Sequence, residues 1–460
     1  MKTFTLKVLA FKLAMLLTLG AVLFSVVACS KNDRNKYVEV WHSLSGTGQQ
    51  AVQEIIADYN KVLEQNGEVI RVKEFKYASG TVLEQSITNG VAEGVGPDVV
   101  FHFPTFADNF LQDDFLLDMS PYFDMDKLKE EIEPSAYNDA TGYRKQGLYS
   151  VGLYASGPVI YFNEKLMDSY VEQGIPKPDS ENLTWQQIEE YSALVSQKLD
   201  KPGFGYSNPM DFALFLMLQN GSDMISADRK SADFGDNDKA AKQAFEYIKR
   251  NVNNGNFQQP PTAAGEYMSD YFKNSEFPIF LGGTSDYAFF PSGTDANGNP
   301  TPGLNLEEIA VMPIAGSQGF DSADSDNANR FQLWNRSAFA FKSEENRERV
   351  TSEFVKFLTN AENSAKLSIG MGNASPYRQN ILKDNQAYQE FLQSVRGKPT
   401  AVMSSVMENA YLPPPLSGVE IMRKQIEKAI KEWINPNANR DLQTILNDAR
   451  DEINRELNRG

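Results

Sequence analysis

The segment YVEVWHSLSGTGQQAVQEIIADYN, Tyr37 to Asn60, contains in succession the three features that decide the fold. A β-prone run, YVEVWH, is followed by a loop rich in serine and glycine. A helical pattern then begins, with Val52, Ile55 and Tyr59 spaced to share one face. A strand that passes through a short polar loop into an amphipathic helix predicts one unit of a layered α/β fold.

The same alternation continues along the chain. The runs EVIRVKEFKY, GPDVVFHF and EFPIFLGGTSDY are predicted strands, and helical patterns separate them. Thr184 and Gln187 form a predicted capping box at a helix start. Residues Ser417 to Leu457 are predicted to be helical, with a break at Asn435-Pro436. Because about 430 mature residues exceed what one hydrophobic core usually serves, the pattern predicts an α/β protein with two lobes.

The N-terminal residues predict export and lipid anchoring. Three lysines and no acidic residue precede a mostly apolar stretch, Leu13 to Ala28, which is shorter than the ~20 apolar residues of a membrane span. The stretch ends in VVAC, which resembles a bacterial lipobox, and Cys29 is the only cysteine of the chain. We therefore expect residues 1–28 to be a lipoprotein signal peptide, Cys29 to be lipidated with palmitate, and residues 29–36 to be a tether.

Composition excludes several classes of function. Removal of the signal peptide takes away three lysines and changes the formal net charge from −17 to −20, and so acidic a chain repels nucleic acid. With two histidines and one cysteine, no zinc site can be assembled. His42 and Ser43 are neighbours at a strand end, so their side chains point to opposite faces. We therefore predict a protein that is not an enzyme and that has no metal and no cofactor.

The order of the segments resembles that of a known family. The segments that carry the resemblance are VEVWHSLSG, GPDVVF, LYSVGLYASGPVIYFNEKLM, LTWQQIEEYSALV, FPIFLGGTSDY, VMPIAG, SAFAFKSEENRERV and GNASPYRQNI. Together they are similar to the extracellular solute-binding proteins of ABC importers, family 1, the class that resembles maltose-binding protein. The resemblance implies a periplasmic-binding-protein fold of the Venus-flytrap type II, with hinge-connected lobes that close on a solute.

The resemblance also implies a domain division and a set of partners. We expect lobe 1 to comprise residues 37–151 and 306–343, and lobe 2 to comprise residues 152–305 and 344–460. The expected protein is a monomer that stands outside the cytoplasm on its lipid anchor and delivers its solute to ABC permease subunits in the membrane.

Candidate ligand contacts follow from strand ends and from the resemblance. Ligands of open α/β sheets bind at the carboxyl ends of strands, which is where the loop Trp41 to Gly48 lies. The alternative is that Trp41 and His42 only cap the strand. The predicted ligand-binding residues are Trp41, His42, Ser43, Tyr77, Asp98, Tyr154, Ser156, Gly283, Thr284, Ser285, Arg336, Ser337, Ser375, Tyr377 and Arg378, with Phe101, Asn335 and Asn373 as further candidates.

Three interpretations of the function remain open from the sequence. The first is a carbohydrate, held by aromatic faces and planar polar groups. The second is sn-glycerol-3-phosphate or a glycerophosphodiester, because WHS followed by a glycine loop resembles that branch and because Arg336 and Arg378 could reach a phosphate. The segment LPPPLSGVEIMR, however, has no arginine beside its Ser417-Gly418 turn, where that branch carries one. The third is a surface adhesin on the same fold.

Overall fold

The structure is a computed structural model that describes residues 36–261, 266–294, 300–301, 303–317 and 328–459. The predicted signal peptide, Cys29 and all of the predicted tether except Lys36 lie outside the described residues. None of the described helices has both the length and the apolar character needed to cross a membrane.

Strands and helices alternate along most of the described chain. The strands are β1 Tyr37–His42, β2 Arg71–Lys76, β3 Val99–His102, β4 Val151–Ser156, β5 Pro158–Asn163, β6 Phe204–Tyr206, β7 Met224–Ile225, β8 Ala232–Asp233, β9 Phe257–Gln258, β10 Ile279–Gly283, β11 Gly293–Thr294, β12 Pro300–Thr301, β13 Ile309–Met312, β14 Phe331–Gln332, β15 Trp334–Ala340 and β16 Ala410–Tyr411. The helices are α1 Gly46–Gln65, α2 Gly80–Ala92, α3 Pro104–Leu111, α4 Met125–Glu131, α5 Pro134–Thr141, α6 Glu164–Val171, α7 Trp185–Leu199, α8 Pro209–Gln219, α9 Lys239–Asn253, α10 Met268–Lys273, α11 Glu345–Leu358, α12 Ala361–Met371, α13 Gln379–Leu382, α14 Gln386–Gln393, α15 Lys398–Ser405, α16 Ser417–Ile434 and α17 Leu442–Leu457.

The first sheet has the strand order β2-β1-β3-β15-β4. β1 runs parallel to β2 and β3, whereas β15 runs antiparallel to β3 and β4. Helix α1 buries Val52, Ile55 and Tyr59 against this sheet, as their spacing predicts. The strand–loop–helix unit predicted from the first quoted segment is therefore confirmed.

The second sheet has the strand order β13-β5-β10-β6-β9. β5 runs antiparallel to both β10 and β13. Its helices include α7, which begins with the predicted capping box: the Gln187 N–H donates to Thr184 Oγ1 at 3.2 Å, and the Thr184 N–H donates to Gln187 Oε1 at 2.9 Å. The helical C-terminus is also confirmed, with α16 and α17 on either side of Asn435.

A single residue, Gly157, connects β4 of the first sheet to β5 of the second. A side chain here would collide with Met403 and would come within 2.9 Å of Leu333 Cδ2, so the close approach requires glycine. The connection therefore marks the hinge between the two lobes.

The packing differs from the predicted lobe boundaries at two places. β13 was expected in lobe 1, but it pairs with β5 in the second sheet, where Val311 lies opposite Tyr161. Helices α11, α12 and α14, expected in lobe 2, bury Phe354, Leu367 and Phe391 in the same core cluster as Val38 of the first sheet. After α14, the buried residues that pack in the second core come from α16, α17 and the segment from Met403 to Leu416.

Candidate ligand-binding site

Two adjoining chambers lie between the lobes, and Phe103 and Glu420 line both of them. The larger chamber has a volume of about 490 Å³ and is lined by Glu84, His102, Phe103, Phe106, Asn109, Gln112, Arg144, Ser417, Glu420, Ile421, Lys424, Glu456 and Arg459. The smaller chamber has a volume of about 220 Å³ and is lined by Phe103, Pro104, Thr105, Asp139, Gln332, Leu333, Trp334, Asn335, Leu412, Pro413, Val419, Glu420 and Arg423. Each chamber takes residues from both lobes, which is the arrangement that lets a ligand hold the lobes together.

The wall contributed by the first lobe is aromatic. β3 ends at His102, and Pro104 at the first position of α3 starts the next helix at once, because its fixed φ suits that position. This sharp junction places Phe103 and Phe106 at the chambers. The His102 ring lies 4.6 Å from the Phe106 ring and 5.5 Å from the Phe103 ring, measured between centroids.

His102 is a neutral imidazole in this wall. Its Nε2 lies 3.1 Å from Oε1 of Glu84. Burial lowers the pKa of His102 to about 3, and the positive charge of Arg336 acts in the same direction. The imidazole is therefore neutral beside Glu84, and its Nδ1 has no hydrogen-bond partner within the described ranges.

Arg336 lies where strand β15 reaches the chambers. Its guanidinium carbon lies 3.7 Å from the centre of the Phe103 ring, in a cation–π contact. Burial lowers the pKa of Arg336, while Tyr154, Glu84 and Glu420 raise it. Arg336 is thus flanked by a carboxylate from each lobe, and these carboxylates offset its positive charge.

The wall contributed by the second lobe is polar. Arg423 Nη2 lies 2.9 Å from Oδ1 of Asp211, and burial raises the pKa of that carboxyl group while Arg423 lowers it. Glu420, on the same face of α16, accepts a hydrogen bond from Thr105 of the first lobe at 2.8 Å. The lobes therefore contact each other at the edge of the smaller chamber.

The smaller chamber has polar atoms that the protein itself does not satisfy. Gln332 Oε1, Asn335 Oδ1 and Arg423 Nη1 are buried and have no hydrogen-bond partner among the described residues. Buried polar atoms in folded proteins are nearly always bonded to protein, water or ligand. Two acceptors and one donor around one cavity therefore indicate a space made for polar occupants.

A comparison with known proteins identifies the class. The sequence pattern that defines the bacterial extracellular solute-binding proteins matches residues 54–391. The chain belongs to this family. Its members are extracellular solute-binding proteins rather than enzymes. No curated protein matches the chain by sequence.

Solved structures of other solute-binding proteins share the fold. The cyclic alpha-maltosyl-1,6-maltose binding protein from Arthrobacter globiformis is 17% identical, with a TM-score of 0.70 over 92% of this chain and 99% of that one. An ABC substrate-binding protein from Listeria monocytogenes in complex with cycloalternan is 18% identical, with a TM-score of 0.68 over 91% and 98%. A maltose/maltodextrin-binding domain from Bdellovibrio bacteriovorus bound to maltotriose is 14% identical, with a TM-score of 0.64 over 92% and 99%. The predicted two-lobe periplasmic-binding-protein fold is confirmed.

In this solute-binding protein, Trp41 and His42 lie in the core of the first lobe instead of at the chambers. The Trp41 ring packs 5.2 Å from Tyr77, which is half-buried, and its Nε1 donates to Glu39 at 3.2 Å. The buried His42 accepts the N–H of Leu44 on Nδ1 at 3.1 Å. Its Nε2 therefore carries the proton and donates to Glu74.

The pKa of His42 agrees with this structural role. His42 Nε2 lies 3.0 Å from Oε2 of Glu74, and its ring stacks on Phe101 with centroids 5.6 Å apart. Burial lowers the pKa of His42, an effect that the bond to Glu74 opposes. Ser43, the next residue, is half-buried at the start of the loop.

A second group of predicted residues forms a hydrogen-bonded chain at the hinge. Ser156 Oγ lies 2.9 Å from Thr284 Oγ1, which donates to Asn373 Oδ1 at 2.7 Å. Gly283 lies beside them, with the exposed Ser285 next to it. These hydroxyls satisfy one another, and they join Ser156 at the hinge to the segments that follow β10 and α12. Tyr154, two residues before Ser156, interacts with Arg336.

The remaining predicted residues serve the first lobe. Asp98 lies at the opposite end of β3 from the chambers and pairs with Arg347 at 2.9 Å. Ser337 is buried beside His102 in the sheet. The C-terminal group is bonded within the lobe: Ser375 Oγ to Ser364 Oγ at 2.7 Å, Tyr377 OH to Thr359 O at 2.9 Å, and Arg378 Nε to Ile132 O at 2.9 Å.

The chambers contain residues that the sequence analysis did not select, chiefly Phe103, Phe106, Trp334 and Glu420. A signal existed for the first of these. Phe103 directly follows strand β3, so the strand-end rule that selected Trp41 applies equally to it. No comparable signal marks Glu420, because its helix reaches the chambers only through packing between distant parts of the chain.

Proposed function

We propose that this solute-binding protein captures an extracellular oligosaccharide in the two chambers and delivers it to an ABC permease. The observation that carries the proposal is the combination of aromatic faces with buried polar atoms in one space. Phe103, Phe106 and Trp334 offer apolar faces, which suit the C–H patches of a sugar ring. Gln332 and Asn335 offer planar polar groups that can bond hydroxyls.

The ligands of the structural neighbours agree with this proposal. The relatives from Arthrobacter globiformis, Listeria monocytogenes and Bdellovibrio bacteriovorus are described with a cyclic maltosyl-maltose, cycloalternan and maltotriose respectively, all of which are carbohydrates. Solute that touches both walls at once favours the closed arrangement, because only differential contacts can drive closure.

The phosphate alternative has less support from the geometry. Arg378 is committed to the carbonyl of Ile132, within the first lobe. Arg330 lies 3.0 Å from a carboxylate oxygen of Asp223. Arg336 packs against Phe103 without lining either chamber itself, and two glutamates flank it. The larger chamber is lined by Arg144, Lys424 and Arg459, but also by Glu84, Glu420 and Glu456, so its charged side chains leave no net positive charge for a phosphate. We therefore favour a neutral carbohydrate over sn-glycerol-3-phosphate or a glycerophosphodiester.

The cellular setting is part of the same proposal. The lipobox-like VVAC segment supports an anchor at Cys29 after removal of residues 1–28, with residues 29–36 as a tether. The protein would then act as a monomer held at the outer face of the membrane, next to its permease. Mass spectrometry of the membrane-extracted protein would test the anchor, since a Cys29→Ser variant should lack the lipid mass and leave the membrane fraction.

A thermal-shift panel on the soluble chain from Ser30 onward tests the solute. A ligand present at about 100 times its dissociation constant adds ~2.7 kcal/mol to the free energy of unfolding, so the midpoint should rise visibly with a neutral oligosaccharide. The panel includes linear and cyclic glucans, sn-glycerol-3-phosphate and glycerophosphodiesters. A shift with the phosphate compounds alone would make the carbohydrate proposal wrong, and no shift with any solute would favour the adhesin.

Two aromatic variants test which chamber holds the sugar. Trp334→Ala and Phe106→Ala each remove one ring from one chamber, and we expect each to weaken binding by about 1–3 kcal/mol, the scale of a buried aromatic contact. Calorimetric titration with the solute found in the panel measures the effect. Phe115→Ala, at the far end of the first sheet, is the matched control. Unchanged affinity in both chamber variants would place the solute elsewhere.

A further inference from the structure

The last two helices of the second lobe form an antiparallel pair whose free ends lie side by side. Gly418 in the first turn of α16 packs against Leu457 at the end of α17, where a larger side chain would collide. Val419 and Ile453 fix the pair in the second core. The N-terminus of one helix and the C-terminus of the other therefore face the first lobe together.

The N-terminus of α16 has no cap from its own chain segment. Its N-cap residue is Leu416, whose side chain cannot accept a hydrogen bond. Asp108 of α3, in the first lobe, takes this role: its Oδ2 accepts the backbone N–H of Ser417 at 2.9 Å, and it is 3% exposed. Burial raises the pKa of Asp108, while the bonds from Ser417 and the charge of Arg144 lower it.

A second hydrogen bond joins the same two helices, α3 and α16, about one helical turn away from the first. Thr105 precedes Asp108 by three residues on α3, and Glu420 follows Ser417 by three residues on α16. The Thr105 hydroxyl donates to Glu420 Oε1 at 2.8 Å. Because residues three apart lie on one face of a helix, the two bonds fix the relative orientation of α3 and α16.

The C-terminus of α17 is also capped from the first lobe. Arg144 Nη2 donates to the carbonyl oxygen of Leu457 at 2.7 Å. The last carbonyls of a helix have no partner within the helix, and a cation is favourable beside them. A further bond between the lobes lies nearby, from Arg229 Nη1 to the carbonyl oxygen of Gly142 at 2.6 Å.

We propose that Asp108 and Arg144 are positioning residues that cap the C-terminal helix pair across the lobe interface and so favour the closed arrangement before any solute binds. An anion meets the helix N-terminus and a cation meets the helix C-terminus, and each sign matches the helix dipole. Opening exposes both helix ends uncapped. The proposal goes beyond solute capture, because it concerns the empty protein and does not depend on the identity of the solute.

The consequence for binding is quantitative. A closed form that is already populated lowers the cost of closure, so the apparent affinity rises with the closed fraction. Loss of one cap is expected to shift the equilibrium between closed and open forms about five- to tenfold toward the open form, from the usual worth of a helix cap, and to weaken affinity by at most that factor. The loss should appear mainly as faster dissociation, since the caps form only after the lobes meet.

The experiment measures the distance between the lobes without solute. Cysteines for spin labels replace Lys61 and Lys165, one in each lobe, whose side chains are 69% and 76% exposed. The soluble chain has no other cysteine. We expect Asp108→Ala and Arg144→Ala each to move the distance distribution toward a second, open population, and Asp108→Asn, which keeps an acceptor oxygen, to restore most of the closed one.

Controls separate the caps from general damage. Asp113→Ala and Lys145→Ala remove neighbouring charges of the first lobe, the first being exposed and the second paired with Asp114 of the same lobe. Both should keep the parental distances. Arg144 lines the larger chamber, which is why the readout is taken without solute. Parental distances in both cap variants, with unchanged melting, would overturn the proposal, whereas failure of the sugar panel would leave it standing.

Discussion

Replacing Trp41 with alanine is expected to lower the free energy of unfolding by about 3–5 kcal/mol and to leave solute affinity unchanged. The ring is 8% exposed and belongs to a core cluster with Leu83 and Ile87 of α2. It also lies against Gly90, whose missing side chain makes room for it. Truncation therefore leaves a cavity beneath α2, and it removes no atom that lines either chamber.

Urea unfolding followed by circular dichroism measures the first effect, and calorimetry at a temperature where the variant is folded measures the second. Trp334→Ala is the matched control with the opposite signature, since this half-buried ring lines the smaller chamber. A Trp41→Ala variant that kept its stability but lost its affinity would show that the ring reaches the solute.

Trp41 and His42 follow the strand-end rule but line neither chamber, for a physical reason. The loop after β1 is already occupied by its own lobe: Thr47 donates to the carbonyl oxygen of Gly370 at 2.6 Å, and Met371 lies against Gly48. Trp41 and His42 face opposite sides of a sheet that is covered on both faces, so both enter core packing. Local sequence does not reveal which strand end a distant helix will cover.

Local signals nevertheless predicted much of the fold. The apolar spacing of α1, the capping box of Thr184 and Gln187, and the break after α16 depend on residues close in sequence, and each is found. The lobe boundaries depended on long-range pairing instead. β13 joins β5 across roughly 150 residues, and α11 returns to the first core, which no local pattern indicates.

The chambers illustrate the same division between local and distant information. Phe103 follows a strand end and could have been predicted from the rule applied to β1. Glu420 lines the chambers because α16 packs against α3, which lies more than 300 residues earlier in the chain. The unpartnered atoms of the smaller chamber are a property of three-dimensional packing alone. The aromatic half of the site was therefore within reach of the sequence, and the polar half was not.

Asp139 is a buried carboxyl group that makes the stability of the protein depend on pH. It lines the smaller chamber, and its Oδ2 accepts a hydrogen bond from Asn335 Nδ2 at 3.3 Å. Burial raises the pKa of Asp139 to about 7, and the bond from Asn335 only partly opposes this. The folded state therefore keeps its proton at pH values where the unfolded chain, with a pKa near 3.9, has lost it.

The sign of the effect follows from proton binding. Between about pH 4 and pH 7 the folded state binds the extra proton, so this group lowers the free energy of unfolding as the pH rises. A shift of about three units corresponds to roughly 4 kcal/mol at pH 8, at 1.36 kcal/mol per unit. Asparagine is isosteric and cannot ionise, and its amide can donate to Asn335 Oδ1, which has no partner among the described residues.

Asp139→Asn is accordingly expected to equal the parent in stability at pH 4 and to exceed it by about 2–4 kcal/mol at pH 8. Urea unfolding of the solute-free protein at four pH values between 4 and 8 measures the difference, and the comparison of variant with parent cancels the titration of all other groups. The exposed Asp113→Asn change should give a small and pH-independent difference. A parent that outlasted Asp139→Asn at pH 8 would mean that the ionised carboxylate is stabilised in the folded state, by a cation or an ordered water that enters the smaller chamber beside Arg423.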